Sequence, residues 1–201
     1  MKNALVINID RTGSMRSYIK AINNILPPLI RSMSLTHVFD YIGIMTYSYF
    51  KRGENQAITW SGYCDISDEE KVNNLIQFAN NIYPQGGAGS DQRPEAIKTS
   101  LYNLANYYFD GNIYVINMTD APPHLCSKDH ICSKEHWKCE MDGEGKFEHT
   151  QLRNIFKWDR IVNYFLEKQN CKNYSFLSTF NHPAYCYLSE KTGGNVLIFN
   201  P

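Results

Sequence analysis

The sequence predicts an α/β fold in which about six strands form a mostly parallel central sheet flanked by helices. Two patterns lead to this prediction: apolar runs of strand length alternate with segments of helical periodicity, and oxygen-rich loops lie between them. Alternating strands and helices are joined by right-handed crossovers, which make the sheet parallel and doubly wound. In such sheets ligands bind at the carboxyl ends of the strands.

Apolar runs of strand length occur at five places along the chain, and a sixth, weaker run follows the turn at Gly53. Buried strands of parallel sheets have this near-continuous apolar character. The five runs predict strands at residues 4–9, 40–50, 112–118 and 174–180 and a final strand that follows a Gly turn within residues 192–199, and the weaker run predicts one at 56–63.

Segments with apolar residues at steps of three and four separate these strands and predict helices. Pro27 and Pro28 should stop or kink the first helix, because proline lacks a backbone N–H, and residues 29–33 restart it. Ser67 and Glu70 form a capping-box pattern at the start of the second. The predicted helices cover residues 15–26, 67–79, 97–108, 152–166 and 185–191.

Composition bounds the domain organisation and the classes of partner. The chain has 201 residues, 43% hydrophobic and 20% charged, which suits a globular domain with one buried core. We interpret residues 1–201 as a single domain with a His- and Cys-rich insertion at about 121–150. Basic and acidic residues number 20 each, so no basic excess favours nucleic acid as a partner. With no signal-peptide pattern or membrane-length apolar stretch, an intracellular, cytoplasmic protein is expected.

Three loops rich in oxygen-bearing side chains are expected at one rim of the sheet. Asp10, Thr12 and Ser14 follow the first strand, residues 86–91 form a Gly-rich segment, and Asp120 follows a later strand. Carboxylates and hydroxyls are hard donors that suit Mg²⁺, Ca²⁺ or Mn²⁺. The pattern therefore predicts a divalent-metal site, the alternative being that the two hydroxyls of the first loop only cap the following helix.

Four stretches of the chain, taken in order, resemble the von Willebrand factor A domain: IDRTGSM, GGAGSDQRPEA, YVINMTDAPPH and TGGNVLIF. They are closest to the subgroup with D-x-T-G-S-M in its first loop and D-A-P-P-H in its third. The resemblance implies a Rossmann-like three-layer sandwich with a metal-ion-dependent adhesion site. The implied metal ligands are Asp10, Thr12, Ser14, Asp91 and Asp120. Ser90 or Gln92 could replace Asp91, because the spacing before Pro94 departs slightly from the family pattern.

The same resemblance implies a protein-interaction module and no enzymatic activity. A bound Mg²⁺, Ca²⁺ or Mn²⁺ ion would complete its coordination with an Asp or Glu of a partner protein. One alternative is a metal-independent scaffold or assembly subunit of a larger complex. Another is a haloacid-dehalogenase-like phosphotransferase with Asp10 as nucleophile, since DRTGS also resembles the D-K-T-G-T loop of those enzymes.

The insertion contains the stretch CSKDHICSKEHWKC, in which a Cys-x-x-x-His unit occurs twice. Cys and His four residues apart share one face of a helix, and thiolate with imidazole favours Zn²⁺. A single site would need a turn between the units, near Ile131. The alternatives are a hydrophilic loop with reduced thiols, or disulfides in an oxidising compartment. The possible zinc ligands are Cys126, His130, Cys132, His136 and Cys139.

Overall fold

The structure, a computed structural model, describes residues 1–48, 57–86, 95–121, 123, 157–178 and 182–198. The statements below concern these residues. The strands are β1 (Lys2–Asp10), β2 (Tyr41–Tyr47), β3 (Ile58–Trp60), β4 (Cys64–Asp65), β5 (Gly111–Thr119), β6 (Asn170–Leu177) and β7 (Val196–Ile198). The helices are α1 (Arg16–Thr36), α2 (Glu69–Asn80), α3 (Ile97–Asn106), α4 (Trp158–Lys168) and α5 (Pro183–Thr192).

The strands form one sheet in the order β3-β2-β1-β5-β6-β7, with β4 also paired to β2. The β1, β2, β5, β6 and β7 strands run parallel, whereas β3 and β4 are antiparallel to β2. From β1 the chain adds β2 on one side and later β5 on the other, which places the switch in strand order at β1. The predicted doubly wound, mostly parallel α/β fold is confirmed, and ligands of such folds bind at this switch point.

Helices cover both faces of the sheet because the central strands are apolar on both. On one face, Leu5, Ile7 and Ile9 of β1 pack with the buried residues of α1 and α2. On the other, Val6 packs with residues of α3 and α4. Successive side chains of a strand point to opposite faces, so one apolar strand contributes to both halves of the core. Within the described ranges, every helix is too short or too polar to serve as a membrane span.

The structure corrects two predicted helix boundaries. The α1 helix continues through Pro27 and Pro28 to Thr36. Leu26 and Ile30, on either side of the prolines, are buried against the sheet. The helix buries Ile19 and Ile22 as well, and four such side chains at about 1.5–3 kcal/mol each offset the about 3 kcal/mol that each of the two prolines costs.

The second correction concerns the N-terminus of α2. Asp68, and not Ser67, is the N-cap residue, and its carboxylate accepts a hydrogen bond of 3.2 Å from the Lys71 N–H. The Ser67 hydroxyl instead donates to the Asp65 carboxylate at 2.6 Å. Ser and Asp are both good N-cap residues. The turn in which Ser67 bonds to Asp65 engages the Ser67 side chain, so Asp68 becomes the N-cap residue.

A buried row of asparagines fixes the register of the three central strands just below the rim. The Asn8 amide donates to Asn117 at 2.8 Å, and the Asn117 amide donates to Asn173 at 2.8 Å. Ser100 of α3 donates to the Asn8 side-chain carbonyl at 2.6 Å. We call Asn8, Asn117 and Asn173 the asparagine ladder. Asn8 and Asn117 are register partners, whereas Asn173 is the partner of Val115, so the bond between Asn117 and Asn173 runs diagonally from β5 to β6.

Candidate metal centre

Three carboxylates meet at the carboxyl ends of the central strands. Asp10 is the last residue of β1, Asp120 follows β5, and Glu95 lies two residues before α3. Their ligand oxygens all lie within 4.8 Å of one another. Because β1 and β5 are parallel neighbours, their ends bring Asp10 and Asp120 to the same rim. The cluster formed by Asp10, Glu95 and Asp120 is called the acidic cluster below.

Backbone contacts at the end of β2 position Glu95. The Ala96 N–H donates to the Ser48 carbonyl oxygen at 3.1 Å, which holds the start of α3 beside the end of β2. The Ser48 hydroxyl in turn donates to the Gln85 side chain at 2.8 Å. Glu95 is 6% exposed and therefore reaches the acidic cluster from inside the protein.

The first loop folds back on Asp10. The Thr12 N–H donates to Asp10 Oδ1 at 2.8 Å, and the Thr12 and Ser14 hydroxyls lie 3.1 Å apart. Neither the 3-10 turn over Gly13–Met15 nor α1 has a side-chain cap. The structure therefore does not use the two hydroxyls as helix caps, which leaves both oxygens beside the acidic cluster.

The end of β5 supplies the other side of the acidic cluster. The Thr119 hydroxyl lies 3.0 Å from Asp10 Oδ2 and 3.2 Å from the Ala121 N–H, which donates to it. Asp120 Oδ1 is buried and has no hydrogen-bond partner among the residues that the structure describes. A buried carboxylate oxygen without a donor is costly, and a cation would satisfy it.

The acidic cluster is electrostatically strained without a cation. Burial is the main cause that raises the pKa of Asp10, to about 6. Burial and the neighbouring Asp10 charge raise the pKa of Glu95 well above its usual value. Burial also raises the pKa of Asp120. Three carboxylates this close cannot all ionise without a counter-charge. Together with the Thr12 and Ser14 hydroxyls they form an all-oxygen ligand set that fits a hard divalent cation.

Two almost fully buried tyrosines lie next to the acidic cluster, and one of them, Tyr47, is the register partner of Asp10 in β2. The charges of Asp10 and Glu95 add to burial in raising the pKa values of Tyr47 and Tyr185. The Tyr185 hydroxyl donates to the Ala121 carbonyl oxygen at 3.0 Å. The Tyr47 hydroxyl has no hydrogen-bond partner within the described ranges.

Arg11 could oppose a metal ion because it adjoins Asp10 in sequence, but its side chain is engaged elsewhere. The Arg11 guanidinium donates to the Thr59 hydroxyl at 3.1 Å, on β3 at the sheet edge. Its backbone N–H donates to the Tyr47 carbonyl oxygen at 2.8 Å. Arg11 therefore ties the first loop to β2 and β3.

Of the residues predicted from the sequence, the structure brings together Asp10, Thr12, Ser14 and Asp120. Asp91 and its alternatives Ser90 and Gln92 lie outside the described residues. The possible zinc ligands also lie outside them: Cys126, His130, Cys132, His136 and Cys139. Sequence reasoning missed Glu95, although its segment, GGAGSDQRPEA, was the one expected to supply the second loop.

No protein-family model matches the chain. Among curated proteins, the chain is 30% identical over 194 residues to a "Putative ariadne-like RING finger protein" of Acanthamoeba polyphaga mimivirus. That alignment covers 96% of this chain and 18% of the viral protein. The chain thus spans less than a fifth of the relative that it matches.

Solved structures identify the fold. A von Willebrand factor type A protein from Catenulispora acidiphila aligns with a TM-score of 0.55 at 12% identity, over 100% of this chain and 39% of that one. The pilus adhesin SpaC from Lactobacillus rhamnosus GG, in its open conformation, aligns with a TM-score of 0.57 at 11% identity, over 100% of this chain and 28% of the adhesin. Proximal thread matrix protein 1 from the mussel byssus, with a zinc-occupied MIDAS motif, aligns with a TM-score of 0.57 at 12% identity, over 100% of this chain and 44% of that protein. The chain therefore has the fold of a von Willebrand factor A domain.

Proposed function

We propose that this chain is a member of the von Willebrand factor A family that binds one divalent cation and uses it to engage a partner protein. The ion would be held by Asp10, Thr12, Ser14, Glu95 and Asp120. The observation that carries the proposal is the acidic cluster, whose three carboxylates lie within 4.8 Å of one another at the switch point of the sheet. A cation is the simplest counter-charge for such a group.

Hydrogen bonds in the first loop and at the end of β5 orient Asp10 for this role. Thr12 N–H holds one oxygen of Asp10, and the Thr119 hydroxyl lies at hydrogen-bond distance from the other. These contacts fix the orientation of the carboxylate, as partners outside the ligand shell commonly do at metal sites. The bound ion would supply an electrophilic centre that accepts a carboxylate oxygen from an Asp or Glu of the partner.

The oxygen ligands favour Mg²⁺, Ca²⁺ or Mn²⁺, and Mg²⁺ is our proposed occupant. Zinc also accepts carboxylate ligands, and the byssus protein with this fold carries zinc in its MIDAS motif. Whether Asp91 contributes a further ligand, and whether the His- and Cys-rich insertion binds Zn²⁺, stay predictions from the sequence.

We further propose that the module does not catalyse phosphoryl transfer. Asp10 is fully buried. A nucleophile needs room for a phosphoryl group in line with its oxygen, which is far larger than the room that an ion needs. Acid-quench labelling with radioactive phosphate should leave Asp10 unlabelled. A phosphoaspartate at this position would favour the phosphotransferase alternative.

Calorimetric titration of metal-stripped protein with Mg²⁺, Mn²⁺ and Zn²⁺ tests the metal proposal. One ion should bind per chain, and Asp10→Ala should abolish binding, whereas Asp110→Asn, an exposed acid at the opposite end of β5, should not. A pull-down with wild type and Asp10→Ala, in Mg²⁺ and in EDTA, then tests the partner. Binding of a partner in EDTA, or by Asp10→Ala, would favour the metal-independent scaffold.

A further inference from the structure

Glu95 changes the charge balance of the proposed site. Two carboxylates, Asp10 and Asp120, would neutralise a divalent ion and leave it able to attract an anionic ligand. Glu95 adds a third carboxylate within 4.8 Å of both. When all three are ionised, the site with its ion has a net charge of −1, which opposes the approach of another carboxylate.

Glu95 is built into the acidic cluster and does not reach it from the surface. A carboxylate oxygen of Glu95 lies within 4.8 Å of ligand oxygens of both Asp10 and Asp120. Only 6% of the residue is exposed, and the adjacent Ala96 is anchored to Ser48. Glu95 therefore lies against two of the proposed ligands, close enough for its charge to act on anything that binds the ion.

A second observation at the same place is the hydroxyl of Tyr47. It is fully buried and makes no hydrogen bond of good geometry among the described residues, although the side chains of Thr119 and Tyr185 lie close enough to influence it. Asp10 and Glu95 are close enough for their charges to affect its pKa. A buried O–H group seeks an acceptor, and a carboxylate that moves away from the ion could accept this bond.

We infer that Glu95 is an internal competitor for the place of the partner's carboxylate on the ion, so an acidic partner binds only as Glu95 withdraws. The inference rests on the proposed function. Glu95 thereby sets two properties in opposite directions: it strengthens binding of the ion and weakens binding of an external carboxylate to the ion. A residue that only supported the local structure would affect both in the same direction.

Mn²⁺ and acetate serve as probes of these two properties. Calorimetry measures the Mn²⁺ affinity, and paramagnetic relaxation of the acetate methyl protons measures acetate binding to the Mn²⁺-loaded protein. Wild type is compared with Glu95→Gln, which removes the charge and keeps the shape. Glu69→Gln, on the exposed face of α2, is the matched control.

Glu95→Gln is expected to lower the Mn²⁺ affinity and to raise the acetate affinity, each by about tenfold. This is the size of effect of one charge at about 5 Å in a medium between protein and water. The control should change neither. A fall in both affinities, or no change in either, would overturn the inference and leave the proposed metal site standing. Wild-type protein that binds no Mn²⁺ would instead overturn the proposed function, and the inference with it.

A second variant covers the case in which Glu95→Gln does not fold, as judged by circular dichroism. Glu95→Asp keeps the charge and shortens the side chain by one methylene, so the carboxylate can no longer occupy the same place on the ion. Its acetate affinity should also rise above that of wild type. An unchanged or lower acetate affinity in a folded Glu95→Asp variant would contradict the competition.

Discussion

Two buried polar clusters lie close together on the same strands, and they satisfy their polar groups in opposite ways. In the asparagine ladder each amide can donate and accept, so Asn8, Asn117 and Asn173 bond to one another in series. The acidic cluster begins at Asp10, two residues beyond Asn8. Its carboxylates, once ionised, can accept hydrogen bonds but cannot donate them. At one end of the ladder the Asn8 side-chain carbonyl accepts from Ser100. At the other end the Asn173 amide nitrogen has no partner among the described residues.

The difference shows which buried polar groups belong to the fold and which await a ligand. Paired amides stabilise the sheet without help from ions, because most hydrogen bonds lost to burial are replaced within the protein. Neighbouring carboxylates must instead take up protons or a cation. The ladder is therefore a structural element, and the acidic cluster is a candidate binding site. The predictions below separate the two.

The largest effect is expected from Asn117→Ala, at the centre of the ladder. The variant removes both inter-strand amide bonds and leaves buried groups of Asn8 and Asn173 without partners. We expect the free energy of unfolding to fall by about 2–4 kcal/mol. Urea denaturation measures it.

Asn112 of β5 provides a matched control for Asn117→Ala. It makes the same kind of bonds, to Asn3 at 2.9 Å and Asn170 at 2.5 Å, but in a solvent-accessible row. Asn112→Ala should cost less than about 1 kcal/mol, because water replaces the lost bonds. Equal losses for the two variants would show that burial does not distinguish the two rows.

The next largest effect is expected from metal addition. An ion that binds only the folded state stabilises it by about 2.7 kcal/mol at 100 times its Kd. For a domain of this size this corresponds to a Tm increase of about 5–10 °C. Thermal melts of wild type in Mg²⁺ and in EDTA should show the increase. Asp10→Asn should show none, and an equal increase in this variant would place the ion elsewhere.

The stability of the metal-free protein should depend on pH with a defined sign. The pKa of Asp10 is raised to about 6 and that of Glu95 well above its usual value, so the folded state holds protons that the unfolded state has lost. The stabilisation from protonated Asp10 is present below about pH 4 and lost as the pH rises through about 6.

In EDTA, wild type should therefore melt at a higher temperature at about pH 5.5 than at about pH 7.5, relative to Asp10→Asn. Saturating Mg²⁺ should reverse the trend, because ion binding requires deprotonated carboxylates. A wild-type pH profile identical to that of Asp10→Asn in EDTA would contradict the assignment of these protons to the acidic cluster.

The smallest effect is expected from Tyr47→Phe. Its hydroxyl has no partner among the described residues, so its removal should change the free energy of unfolding by less than about 1 kcal/mol. Tyr185→Phe loses a hydrogen bond of 3.0 Å to Ala121 and should cost about 0.5–1.5 kcal/mol. Chemical denaturation of the two metal-free variants makes the comparison. A larger loss for Tyr47→Phe would reveal an acceptor for its hydroxyl.

Sequence periodicity was sufficient to predict the mostly parallel sheet and the rim where its loops meet, and insufficient for contacts that depend on packing between distant segments. Asp10 and Asp120 could be placed together because each follows a strand of a parallel sheet. Glu95 could not, because its position depends on the bond between Ala96 and Ser48, which are far apart in sequence. The asparagine ladder could not be predicted either, because its bonds depend on the register between strands, which the sequence pattern does not give.

The continuous α1 helix shows the same limit. Local propensity predicts a break at Pro27 and Pro28, but the apolar face of the helix continues on both sides of them. Leu26 and Ile30 pack on the sheet, and this packing decides the conformation. A single sequence shows that the prolines destabilise the helix. It does not show that the side chains on either side of them are buried and compensate for this loss.

The asparagine ladder also has a consequence for evolution. Its hydrogen bonds fix the strands without any contribution from the acidic residues at the rim. Substitutions of the rim residues can therefore accumulate while the sheet keeps its alignment, so the recognition chemistry can change faster than the architecture that supports it. A lineage could exchange one ion, or one partner, for another without passing through an unfolded intermediate.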